Sequence, residues 1–226
     1  TRHLWGDAEA GEVADWIYVS SDKIHQLVYG LAPGGVFRHS DAYRTIFAAD
    51  LVYYVLSGTM IINNPETGEV HRLRPGEAAF FRRDTWHHVW GHGPEALRVL
   101  EFFAPPPSQG TSGAYARAQP YLHDVRYTRD DLLGQWPMAR EDARRQQTIT
   151  SIREGDALWR MEGDGQQVLV GILVSTEHLT VGTVELLPGQ HTGVLTHGGD
   201  KSLYVEEGTL NVRLTGQPAP SWFELA

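Results

Sequence analysis

The chain has 226 residues, enough for one large β domain or two of ordinary size, and 19 Lys plus Arg against 28 Asp plus Glu give it a net charge of -9. That balance repels phosphate backbones and anionic lipid, so neither nucleic acid nor a membrane surface is expected as a partner. With no cysteine, disulfides, thiolate zinc sites and cysteine nucleophiles are excluded, and a metal would have to be held by the 11 histidines, carboxylates or water.

In chain order, the opening TRHLWGDAEAGE does not read as a secretory signal, and the longest apolar runs, DLVYYVL and QVLVGILV, are far too short to span a bilayer. A cytoplasmic location is therefore expected. Residues 16–104 hold short β-branched and aromatic runs separated by Gly, Pro and Asn turns: KIHQLVYGL, LVYYVL, TMIIN, EVHRL, AAFF, HHVW and LRVLEFF. Their spacing suits an antiparallel sandwich or barrel. NNPETGEV at 63–70 reads as a hairpin loop, Pro65 setting its own φ and Gly68 supplying a positive one.

After Phe103 the stretch APPPSQGTSGAYARAQP cannot continue a sheet and reads as a connector. Within it TRDDLLGQW predicts a short helix capped by Thr128, and PMAREDARRQQ a second one opening at Pro137, with Arg140, Arg144 and Arg145 on a solvated face. A second β region follows with DALWRMEG, QVLVGILV and LTVGTVELLPG. The expected organisation is a first β module at 1–104, a connector at 105–148 and a second β module at 149–226.

The second module repeats the first. ADLVYYVLSGTM and GDKSLYVEEGTL share Asp50/Asp200, Tyr54/Tyr204, Val55/Val205, Gly58/Gly208 and Thr59/Thr209, and LAPG at 31–34 parallels LLPG at 186–189. Gly58 and Gly208 sit where a turn needs positive φ, and the alternating strand before each sends every second side chain to one face.

A strand, a PG turn, a strand ending in YV-x-x-G-T, a hairpin and then PGEAAFFRRDTWHHVWGHG at 75–93 resemble the cupin superfamily in its two-module, bicupin form. The resemblance implies an all-β chain of two antiparallel jelly-roll barrels, each with a pocket in its mouth. It also implies a divalent ion, Fe, Mn, Zn or Ni, held by histidines and a carboxylate, with open positions for oxygen or substrate. Matching the family's ligand positions back from Gly208 gives Leu195, His197 and Lys201, a set in which Lys201 would repel a cation, with His191 nearby. Matching back from Gly58 gives Thr45, Phe47 and Leu51, none of them a ligand. The first module is longer before its repeat, however, and the extra residues contain His39 and Asp41, which point the same way on an extended segment. His87 falls where the family's last ligand histidine stands, with His88 facing the other way and His92 close by.

The site expected from the resemblance is therefore His39 and His87 with Asp41 or His25, and Tyr53, pointing inward with Leu51 and Val55, orienting substrate. The leading expectation is a bicupin that binds a small polar organic molecule in the first barrel and acts as a metal-dependent dioxygenase-like or isomerase-like enzyme. Two readings compete with it: a non-catalytic sensor or carrier, and a metal-free sugar isomerase or epimerase working through a His/Tyr acid-base pair. The counterparts of Pro75 to Pro105 do not follow GTLNVRLTGQPAPSWFELA, so the second barrel is expected to be incomplete, and its open edges favour a homodimer.

Overall fold

The computed structural model describes residues 2–38, 40, 46–65, 67–105, 145, 147–163, 165, 167–216, 218 and 221–226. The described chain is all-β. Ten strands build the first module: β1 (Arg2–Asp7), β2 (Gly11–Ser20), β3 (His25–Leu31), β4 (Val36–Phe37), β5 (Asp50–Ser57), β6 (Met60–Asn63), β7 (Val70–Leu73), β8 (Ala78–Phe81), β9 (His88–Gly91) and β10 (Leu97–Ala104). Six more follow the connector: β11 (Ile149–Ile152), β12 (Leu158–Glu162), β13 (Val168–Ser175), β14 (Thr180–Glu185), β15 (Leu210–Arg213) and β16 (Trp222–Leu225). The helices expected in the connector fall almost wholly outside the described residues, Arg140 and Arg144 among them.

Two sheets face each other to make the first barrel. One runs β1-β2-β3-β10-β5-β8-β11 and the other β4-β9-β6-β7. The alternation read from the sequence decides what lies between them: Leu27, Tyr29 and Leu31 of β3, Leu51, Tyr53 and Val55 of β5, and Val99 and Phe103 of β10 meet Met60, Ile62, Leu73 and Val89 of the smaller sheet. The hairpin at 63–70 closes as expected, with Gly68 at φ 72° donating to the Asn64 carbonyl at 2.9 Å. Gly58 turns at φ 77°, and a Cβ there would stand 2.9 Å from the Ala96 carbonyl oxygen, so close approach of backbone as well as turn geometry requires glycine.

Three features depart from the sequence reading. β1 and β2 form a hairpin that widens the large sheet, although their sequence mixes Gly, Ala and acids among the apolar residues. β11, the first strand after the connector, pairs antiparallel with β8 and so completes the edge of the first module's sheet, with Ile149 in the barrel core. Residues 200–207 repeat the sequence of β5 yet carry no strand. β5 is held between β10 and β8, and no counterparts of those partners occur among the described residues of the second module. A strand is a pairing as much as a propensity.

The second module does retain the repeat's order elsewhere. β12, β13 and β14 form one antiparallel sheet, and β15 pairs with β16 as β6 pairs with β7. The β13–β14 hairpin packs Val174, Leu179 and Val181 onto Val52, Ala78, Ala104 and Ile152, on the outer face of the large sheet. Polar contacts border this seam: Arg82 reaches Asp50 at 3.2 Å and also pairs with Glu177, and the Tyr54 hydroxyl donates to Glu206 at 3.2 Å.

Candidate functional site

The first barrel's interior is apolar except at a row of ionisable side chains. Tyr53 points inward from β5, as the sequence predicts, and His87 enters from the segment that leads into β9 and is wholly buried. The His87 ring packs against Phe81 with centroids 4.5 Å apart and against Tyr53 at 5.5 Å. Its Nδ1 lies 3.1 Å from the Thr85 carbonyl oxygen, which can only accept, so Nδ1 carries the proton. Nε2 is then an acceptor, and the Tyr53 hydroxyl donates to it at 2.9 Å. Burial lowers the His87 pKa to about 4, against a raising effect of the Thr85 hydrogen bond, and burial likewise raises Tyr53 well above the usual phenol range. At neutral pH the pair is therefore uncharged, with one lone pair and one hydroxyl proton facing each other.

Of the other residues singled out in the sequence, His25 lies at the end of β3, stacked on Phe103 with centroids 4.6 Å apart and with Nδ1 3.0 Å from the Ser20 hydroxyl. Phe47 contacts both Phe103 and His87, so aromatic rings fill the space between the two histidines. His88 is buried on the opposite side from His87, and burial, followed by the influence of His87 and Arg38, holds its pKa down at about 3. His39 and Asp41 lie outside the described residues.

Three inward-facing groups escaped the sequence reading. Glu101 on β10 stands opposite Tyr53, Tyr29 on β3 packs its ring 5.1 Å from that of Tyr53, and Asp15 on β2 is the cross-strand partner of Tyr29. Burial raises the Asp15 pKa to about 6 despite a hydrogen bond from the Trp5 indole, and burial with the nearby Asp15 raises Glu101 well above the carboxylate range. The signal was present in LRVLEFF: with Val99 and Phe103 inward, a period of two places Glu101 on the same face.

The family model described as "Cupin domain" matches residues 30–103, the stretch that supplies Tyr53, His87 and Glu101. The first barrel is a cupin domain. Among solved structures, the putative glyoxylate induced protein from Pseudomonas aeruginosa is 19% identical, covers 94% of this chain and 68% of its own, and superposes with a TM-score of 0.57. KdgF from Halomonas sp. is 23% identical over 47% of this chain and 89% of its own, with a TM-score of 0.37. Ylba from E. coli is 9% identical over 76% of this chain and 54% of its own, with a TM-score of 0.44. No curated protein matches the chain.

Cupins commonly hold a divalent ion, and the described residues of this cupin domain do not by themselves assemble a place for one. No group of three His, Asp or Glu comes together among the described residues. His87 Nε2 faces the Tyr53 hydroxyl, and His25 is turned onto Phe103 and Ser20. No helix among the described residues is long and apolar enough to cross a membrane.

Proposed function

We propose that the cupin domain binds a small polar organic molecule at Tyr53 and His87 and acts on it by proton transfer, as an isomerase or epimerase would. The observation that carries this reading is the 2.9 Å hydrogen bond between the Tyr53 hydroxyl and His87 Nε2 inside the barrel. A ligand that separates the two atoms meets an acceptor on one side and a donor on the other. His87 Nε2 takes a proton from a carbon of the bound molecule as the Tyr53 hydroxyl donates its own to the neighbouring oxygen; the reaction closes when His87 returns a proton to carbon and Tyr53 recovers its proton from that oxygen, with the Thr85 carbonyl holding the imidazole in the tautomer this needs. Burial lowers the His87 pKa to about 4, so the ring is neutral throughout the neutral range and its Nε2 lone pair is available to accept from a bound molecule. The apolar walls exclude water and strengthen both hydrogen bonds.

The tautomer also favours a second reading, a metal-dependent enzyme. A histidine that donates Nδ1–H to a backbone carbonyl and aims Nε2 inward is oriented as metal-ligating histidines are, and the ion would take His87 with His39 and Asp41 or His25. Such an ion would supply a Lewis acid or an oxygen-binding centre. Metal analysis of the purified protein separates the two readings: a stoichiometric ion lost in His87→Ala supports the metal centre. Isomerisation of a substrate that persists in excess chelator supports the acid-base pair. Tight binding without turnover would overturn both in favour of a sensor or carrier.

The second module is proposed to be a further cupin. Support comes from the paired repeats in the sequence, from the matching hairpins β6–β7 and β15–β16, and from a structural likeness that extends over 94% of the chain.

A further inference from the structure

Two glutamates of the first module are buried to nearly the same degree, Glu69 at 7% exposure and Glu101 at 6%, and they are treated in opposite ways. Glu69 receives hydrogen bonds from the backbone N–H groups of Thr148 and Ile149, from the hydroxyls of Thr67 and Thr148 and from His71. Glu101 receives no hydrogen bond and forms no ion pair among the described residues, and the charge that bears on it is that of another acid, Asp15. Its position in β10 turns it inward with Val99 and Phe103, between Leu27 of β3 and Tyr53 of β5. A buried carboxyl with no partner opposes folding, and an apolar side chain of the same length would remove that cost. The fold therefore supplies no reason for an acid at this place, and the adjoining Tyr53–His87 pair supplies one.

We propose that Glu101 contacts the bound molecule directly, its carboxyl hydrogen-bonding an oxygen of the ligand beside Tyr53, and that the ligand is an uncharged keto or hydroxy compound. The inference rests on the reading of the first barrel as a ligand site. The ligand class follows from the lining: Glu101 and Tyr53 offer O–H groups, the Tyr29 hydroxyl being taken up by Met60 Sδ at 3.3 Å, and no Lys or Arg is among the buried described residues, so that among them a carboxylate or phosphate would meet the acids Asp15 and Glu101 and no cation. Burial of Glu101 next to Asp15 favours its protonated form, which makes it a donor to a carbonyl or hydroxyl oxygen.

The test uses the whole chain, with dihydroxyacetone as the neutral probe and pyruvate as the anionic one, followed by saturation-transfer NMR, together with thermal unfolding. Glu101→Met is expected to unfold at the same or a higher temperature than the parent and to bind dihydroxyacetone at least ~tenfold more weakly. Glu101→Gln, which keeps one donor and one acceptor, should fall between. Unfolding temperatures that drop by several degrees in both variants would show that folding needs the acid and would overturn the proposal. Unchanged dihydroxyacetone affinity in Glu101→Met, with affinity lost in Tyr53→Phe, would leave the site in place and remove Glu101 from it. A parent chain that binds pyruvate in preference to dihydroxyacetone would overturn the ligand class, and one that binds neither probe would overturn the ligand site along with it.

Discussion

Removing Glu69 should detach the strand on which the first module's large sheet closes. β11 returns to this sheet from beyond the connector, and its entry is held by one carboxylate: Glu69 Oε1 accepts from the Thr148 backbone N–H at 2.8 Å, and Oε2 from the Ile149 N–H at 3.3 Å and from His71 at 3.0 Å. Asn64 braces the same residue by donating to the Thr148 hydroxyl at 2.8 Å. In Glu69→Ala two backbone donors beside a buried strand lose a charged acceptor. At about 1.5–3 kcal/mol for each hydrogen bond to a charged group, with partial rescue by water at the half-buried end, the expected loss is about 3–5 kcal/mol. Urea unfolding would measure it, and hydrogen exchange at the Thr148 and Ile149 amides would locate it.

The same carboxylate predicts a pH dependence. Burial pushes the Glu69 pKa up, but the donors from His71, Thr148 and Ile149 outweigh it and the net value lies below the ordinary 4.5. A carboxylate depressed in the folded state stabilises above its unfolded pKa, and the contribution disappears as pH falls through the lower folded value. The stability gap between parent and Glu69→Ala should therefore be full at neutral pH and narrow in acid below 4.5. A neutral-pH loss under about 1 kcal/mol, or exchange at Thr148 and Ile149 that does not accelerate, would refute the claim that this carboxylate carries the clamp.

Tyr53→Phe leaves His87 Nε2 buried without its donor and should cost about 1–2 kcal/mol in chemical unfolding, while abolishing the response to any ligand that binds the parent barrel. Leu179→Ala opens a hole in the apolar seam between the β13–β14 hairpin and the large sheet; a loss of about 2–3 kcal/mol and faster proteolysis after residue 152 are expected, and an unchanged cleavage rate would show that the hairpin docks without it. We also propose a homodimer, since Leu187, Val194, Trp222 and Phe223 are exposed on the second module; light scattering that returns a clean monomer across a wide concentration range would dismiss it.

Local sequence was sufficient for most strands of the first barrel from β3 onward and for the inward face of β5, because strict alternation and the turn glycines act over a few residues and the core follows them, whereas the β1–β2 hairpin went unread. His87 was singled out by the resemblance to cupins, which places a histidine at this distance after the PG turn, and the structure puts it in the barrel interior. Glu101 was legible only in principle: both faces of LRVLEFF are mostly apolar, since the outer face of the large sheet is covered by the β13–β14 hairpin, and a mostly apolar strand does not announce which side faces the barrel interior. The tautomer of His87 was settled by the Thr85 carbonyl, a contact that depends on how the backbone turns before β9. The pairing of β11 with β8 and the absence of a strand at 200–207 were decided by tertiary structure alone. In each case the segment's own propensity was adequate and the deciding quantity was whether a neighbouring strand stood beside it, which for β11 means partners 68 residues back along the chain for Ile149, at Phe81, and 74 for Ile152, at Ala78, with a carboxylate at Glu69 to hold the end in place.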